Sequence, residues 1–342
     1  MVKGQTIIIM STIGGVFSET QLQNVRVRAD QIMADERIKL QYIARVDAAK
    51  ALFERQVMKL NYIIGKKEKD YVAEIEWMNA CDLVERECDP CNNGGPELST
   101  NTETKELDYC KEVVWSVNQH DFRNNDFGAT EAMAKGLLRA KKILSEGFNR
   151  YMIALLNTFS GVNQGPTSGL GTIVGNNTFL APTSWGPNGL SYLLRVIDIN
   201  QFNNPWLLSG ANFRQAYLNA KNGIEPDENG SAWSTMPIVF DELNVDAVNS
   251  PSLITYLIAM GAYAIGNKAD SLPGEVIQLD GNTIKTLEMD ETLPLEYDFF
   301  VEKSCYKDVI KFDARLKLKG GFYQNPLGCE TGNTGILNFV CN

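Results

Sequence analysis

Cysteine and histidine are the residues here whose spacing could most directly carry chemistry. Cys88-x-x-Cys91 is the one metal-like spacing in the chain. A zinc ion would need two more ligands, from Cys81, Cys110 and His120, because structural zinc is four-coordinate. Cys110 could close such a site with Cys81, but the second half lacks a pair of its own and matches no finger or ribbon spacing. Inert loop cysteines are the favoured reading over zinc or a redox pair. The chain has 7 cysteines, an odd number, and 1 histidine. Reduced thiols are the default without a secretion signal. A single histidine excludes multi-histidine metal sites, and His120 beside Asp121 reads as a surface-loop residue rather than a dyad.

Other fragments point no further. There is no G-x-S-x-G, so a nucleophile-elbow hydrolase has no support. The run Gly169-Leu170-Gly171-Thr172-Ile173-Val174-Gly175 lacks a following G-K-[ST] and reads as a flexible loop. Asp227-Glu228-Asn229-Gly230 and Asp280-Gly281-Asn282 lack the alternating acids and distal Glu of a calcium loop, and read as turns. Asn176-Asn177-Thr178 and Asn229-Gly230-Ser231 fit a glycosylation pattern that means nothing without secretion. No catalytic, cofactor-binding or metal residue is assigned, no cofactor is expected, and the chain is not expected to be an enzyme.

The 342 residues are 44% hydrophobic and 22% charged, an ordinary globular balance. With a net charge of −10, the surface as a whole cannot hold nucleic acid by charge neutralisation. One local basic face remains, at Lys311, Arg315, Lys317 and Lys319. It reads as a solvated strand face, or as one that pairs with an acidic surface on a neighbouring copy. No apolar run reaches the ~20 residues needed to span a bilayer. The N-terminal MVKGQTIIIMSTIGG reads as a strand or arm rather than a secretion signal.

The elements follow from periodicity. Residues 19–64 contain no Pro and no Gly, and their apolar residues recur at helical spacing, which predicts one long helix or two in series. A short helix is predicted over Val72 to Val84. The breaker cluster 89–96 follows, then a projecting hairpin or loop with Tyr109–Val117 as a returning strand. Asn124 to Phe159 carries the clearest helical stripe, Leu137, Leu144, Phe148, Tyr151 and Leu155, and Gly161 is its expected stop. Residues 161–189 read as a long ordered loop with a short strand. Leu190–Ile199 reads as a short helix or strand, Pro205–Leu208 and Pro237–Phe240 as buried strands, and Asn212–Ala220 as a helix. Residues 224–233 read as a polar loop. Ser252–Ile265 reads as a buried helix. From Ile310 to Lys319 the period becomes two, with Tyr297–Glu302 as antiparallel partner and Gly320-Gly321 ending the strand.

This order of parts resembles the major capsid protein of tailed phages, of the Hong Kong 97 type. The residues that carry the resemblance are the spine-like stretch Glu131–Gly161 and the run Met236-Pro237-Ile238-Val239-Phe240-Asp241-Glu242. Tyr256–Asn267 and Lys311–Pro326 stand beside them. The resemblance implies an α+β fold with five parts: N-terminal arm and helix at 1–64, projecting extended loop at 65–125 and spine helix of a peripheral domain at 126–160. A compact axial α/β domain would follow at 161–294, and peripheral-domain antiparallel strands with a C-terminal tail at 295–342.

It implies a structural role. Copies would join in hexamers and pentamers into an icosahedral shell around double-stranded DNA, without sequence-specific DNA binding and without a membrane. Scaffolding, portal and minor capsid proteins would be further partners. Any scaffold would be a separate protein or one already removed, since no large charged segment precedes residue 1. The place would be the virion capsid, assembled in the host cytoplasm. The rival readings are an encapsulin-like nanocompartment shell, another phage virion component such as a tail sheath or tube, and an enzyme of unknown class.

Overall fold

A computed structural model describes residues 18–57, 60–64, 71–79, 99–122, 128–161, 171–174, 177–180, 187–202, 204–211, 213–214, 217, 236–279, 282–290, 292–306, 309–325 and 334–341. The expected arm at 1–17, the breaker cluster at 89–96, the polar loop at 224–233 and most of the expected helix at 212–220 lie outside these residues.

Residues 19–64 do not form one or two long helices. They form α1 (Glu19–Ala34), the single turn α2 (Glu36–Lys39), α3 (Asp47–Glu54) and then a strand, β1 (Asn61–Ile64). The break needs neither Gly nor Pro. Asp35 leaves the helical region with φ −85° and ψ 105°, and its carboxylate accepts the Arg37 amide. Short acidic side chains compete for nearby backbone amides in this way. At the other end, Ser18 and Gln21 form a reciprocal capping box that fixes where α1 begins. Leu22, Val25, Ala29 and Ile32 make its buried stripe.

The expected helix at 72–84 is instead strand β2 (Tyr71–Asn79). Ala73 and Ile75 are fully buried, and Glu74 and Glu76 alternate with them, so the period is two. β2 lies between β1 and β3 (Ser99–Glu106) in a three-stranded antiparallel sheet. The returning strand is present as β4 (Tyr109–Asn118), but it leaves that sheet and pairs elsewhere.

The predicted long helix is α4 (Ala129–Phe159), 31 residues without interruption. At 1.5 Å per residue it is about 46 Å long. Leu137, Leu144 and Phe148 are buried as the stripe required. Its end is not a glycine stop. Ser160 turns the chain into extended backbone, φ −61° and ψ 121°, and the Gly161 amide donates to Ile336 O at 2.8 Å.

Downstream come β5 (Gly171–Val174), β6 (Asn177–Leu180), α5 (Pro187–Ile199), β7 (Trp206–Ser209), β8 (Ile238–Phe240) and α6 (Glu242–Asn249). The expected helix at 252–265 is two strands, β9 (Leu253–Ile258) and β10 (Tyr263–Asn267), joined by a turn with Gly261 at φ +80°. Ile254 to Ile258 are all buried. A strand covered on both faces shows a continuous apolar run, which periodicity cannot tell from a buried helix. Then follow β11 (Val276–Leu279), β12 (Thr283–Met289), β13 (Glu296–Tyr306), β14 (Val309–Gln324) and β15 (Ile336–Cys341).

The remaining strands form two six-stranded sheets. One runs β10-β14-β13-β12-β11, with β4 on the other side of β14. The second runs β5-β6-β15-β9-β7-β8. β13 and β14 form the expected hairpin, Tyr297 opposite Leu318 through Tyr306 opposite Val309. Gly320-Gly321 do not end β14, which continues to Gln324 opposite β10. A Cβ on Gly320 would sit 2.7 Å from the Phe148 ring, so the glycine lets α4 approach the sheet. Strands from 263–289 share a sheet with 296–324, and β15 joins the other sheet. Sheet membership therefore crosses the division that the sequence suggests at 294/295.

Candidate functional site

The side chains with the densest polar contacts line α4, where it fastens the two sheets and the N-terminal helices together. Asp241, 3% exposed, ends β8 and caps α6. One of its oxygens accepts from the Ala48 amide at 3.1 Å and from Asn149 Nδ2 at 3.0 Å. The other accepts from Asn244 Nδ2 at 2.8 Å. Asn149, midway along α4, in turn accepts the Ala49 amide at 2.7 Å. Val46 offers α3 no side-chain cap, so Asp241 and Asn149 satisfy its first amides from distant elements. A helix terminus leaves those amides without partners of its own. Burial, and then the nearby Asp241 charge, raise the Asp47 carboxyl above the usual aspartate value.

Two further fastenings flank this one. The Tyr297 hydroxyl donates to Asp290 at 3.0 Å and lies 2.8 Å from Ser145 Oγ of α4. Complete burial, with the Asp290 charge beside it, keeps that phenol protonated. At the start of β15, Ser160 Oγ donates to Asn338 Oδ1 at 2.8 Å and accepts the Asn338 amide at 3.1 Å. Ser145, Asn149 and Ser160 thus tie one rod to both sheets. Sequence reasoning missed them, although a buried-face Ser or Asn within an apolar stripe is itself a signal that a partner exists.

The N-terminal helix is held by ion pairs. Arg26 Nε meets Glu288 of β12 at 2.6 Å, and Lys141 of α4 approaches the other Glu288 oxygen at 3.4 Å. Arg28 and Lys135 both grip Glu131 at the start of α4, at 2.7 and 2.8 Å. Burial alone would raise the Glu131 carboxyl. The two cations outweigh it and hold the group below its ordinary 4.5. A depressed carboxyl stabilises the fold above the unfolded value and loses that contribution as pH falls through the folded one. Glu131→Gln is therefore expected to be less stable than wild type at pH 7, with a smaller gap at pH 3. Urea unfolding at both pH values checks this; an equal gap at the two would contradict it.

The chemistry-bearing residues singled out from sequence do not converge among the described residues. Cys110 is an exposed free thiol on β4, and His120 is exposed in the 3-10 turn Gln119–Phe122. Cys81, Cys88 and Cys91 lie outside the described residues, as do Asp227 to Gly230, Asp280 and Gly281. Among the described residues, no group of three His, Cys, Asp or Glu comes together. Gly171–Val174 is not a loop: it is β5, paired in a hairpin with β6. A groove of about 610 Å³ lies beside Trp206, with the Arg55 guanidinium stacked 5.2 Å over the indole and Ile197, Pro237 and Met260 around it.

Three of the four cations of the basic face expected on β14 meet carboxylates within the chain. Lys311 pairs with Asp313 at 2.8 Å and Arg315 with Glu112 of β4 at 3.7 Å. Lys319 is 5% exposed and meets Asp270 at 2.9 Å. Arg315 also stacks 4.3 Å over Phe300, with Lys285 on the same ring at 5.4 Å. Lys319 is thus buried in its ion pair, whereas Lys311 and Arg315 are paired within the chain and still exposed on the strand face, as a solvated face would be.

No protein-family description matches the chain, and no curated protein does. Several solved structures are similar to it. One is a chain from Mycobacterium phage Che8, at 12% identity and TM-score 0.46, covering 84% of this chain and 93% of that one. Another is the capsid of an empty GTA particle, at 10% identity and TM-score 0.45, covering 87% and 90%. A third is the capsid of Myoviridae phage XM1, at 10% identity and TM-score 0.42, covering 85% and 92%. No described helix is long and apolar enough to cross a membrane.

Proposed function

We propose that this chain is the structural subunit of the icosahedral capsid shell of a tailed bacteriophage, with a Hong Kong 97-type fold. The observation that carries this reading is α4, one unbroken rod whose buried polar side chains are used to fasten both sheets to each other. A wall element has to pass load between its parts without a hinge, and the interior contacts of α4 serve that end. The order of parts supports it too. In this reading β2 and β3 belong to the extended loop, α4 is the spine, and β12 to β14 belong to the peripheral domain. The sheet built around β9 and β15 is axial.

The partners are copies of the same chain in hexamers and pentamers, with scaffold, portal and minor capsid proteins at assembly in the host cytoplasm. The net charge of −10 suits a wall that confines DNA without gripping it. The chain does no catalysis in this role. Size-exclusion chromatography with light scattering tests the reading: multi-copy assemblies are expected. A monodisperse monomer of 38.0 kDa would overturn it.

A further inference from the structure

Among the described residues strand β4 has one neighbour, β14, and no described strand pairs with its other edge. The strand is ten residues long, and its register with β14 runs unbroken from Tyr109 opposite Gly320 to Asn118 opposite Lys311. It holds no Pro, no Gly and no bulge. Natural sheets blunt a long free edge with Pro, bulges or charges, because its unpaired amides and carbonyls are a template for another strand; here the only such devices are the neighbouring Lys111 and Glu112, near one end. The strand is instead rich in β-branched and aromatic residues (YCKEVVWSVN), which suit a paired strand.

Exposed aliphatic side chains flank that edge on both faces of the sheet. Val114 is 61% exposed on the face away from α4. On the other face α4 runs beside β4, with Gly136 against Trp115 and Gly147 against Tyr109. Ile143 lies seven residues from the first glycine and four from the second, hence on the same side of the helix, and it is 45% exposed.

We propose that this edge of β4 pairs antiparallel with β4 of a second copy, about a two-fold axis at Val114. The proposal rests on the shell-subunit reading for why copies meet. Backbone groups in extended conformation call for an extended partner, and the strand's own sequence favours some registers of self-pairing over others. Centring on Lys111 or Glu112 would set like charges face to face, which destabilises a cross-strand pair. Centring on Val113 would put Val114 opposite Glu112. Centring on Val114 sets it against itself, Val113 against Trp115 and Glu112 against Ser116. Pairs of an aromatic with a β-branched residue are among the favourable ones.

Two measurements on assembled particles test this. Amide hydrogen exchange across β4 is expected to be at least about tenfold slower in particles than in free subunits. Val114→Cys, in a Cys110→Ser background, is expected to give a covalent dimer on mild oxidation of the particles. Particles that form normally but exchange β4 amides as fast as free subunits would overturn the pairing and leave the shell reading standing. Protection of β4 without a V114C dimer would overturn it as well, since another segment would then cover the edge. Failure to assemble at all would overturn the shell reading instead.

Discussion

Asp241→Ala is expected to lower the unfolding free energy by roughly 2–5 kcal/mol, the cost of leaving two or more buried donors without an acceptor. Ala48 N and Asn149 Nδ2 both lose their partner, and Asn244 Nδ2 loses one of its two. The loss should exceed that of a simple helix-cap deletion, about 1 kcal/mol, because one carboxylate serves α3, α4 and α6 together. Asp241→Asn keeps the size and one acceptor oxygen, so it should fall between alanine and wild type. Urea unfolding of the three proteins checks the order. An alanine variant within about 0.5 kcal/mol of wild type, the range of an ordinary surface change, would mean that this junction does not hold the elements together.

Phe148→Ala should be at least as damaging, roughly 3–5 kcal/mol, from lost burial and the cavity left behind. The ring is fully buried, 5.1 Å from the Tyr109 ring and 5.8 Å from Tyr151, and rests on the Gly320 backbone. The same contact gives a test of mechanism. Gly320→Ala in the native background should cost about 1–3 kcal/mol by overpacking. Combined with Phe148→Ala, the added methyl enters the vacated space, so the double variant should be more stable than the sum of the singles implies. Strict additivity in thermal or urea unfolding would show that ring and glycine do not oppose each other.

How much of this could be read from the residues depended on whether the determinant was local. The α4 stripe and the alternation of β13 and β14 are each written within one element, and both stand in the structure. At 252–265 the sequence shows an unbroken apolar run, and only the two sheets on either side of Gly261 decide that it is two strands. At 72–79 the alternation was present, but buried positions as small as Ala73 gave it little contrast. At Asp35 the helix break comes from one carboxylate competing for a backbone amide, a signal weaker than Gly or Pro. Gly320-Gly321 read as a terminator because a glycine that makes room for a ring 172 residues earlier looks the same as one that ends a strand.

The junction around α4 was less legible still. Asp241 and Asn149 are 92 positions apart, and nothing in either neighbourhood names the other. What was visible is that Ser145 and Asn149 interrupt an otherwise apolar side of the helix. A buried polar side chain has to find a partner, so these two were markers of tertiary fastening, though not of which elements they fasten. The basic face of β14 shows the converse. Alternate cations were legible on the strand, while two of the carboxylates that meet them arrive from elsewhere, Glu112 of β4 and Asp270.

The central claim is that this chain closes into shells with copies of itself. Negative-stain electron microscopy of the purified chain tests it most directly. Closed isometric shells of uniform diameter are the expected result. Open cylinders, or a field of separate single subunits, would contradict it.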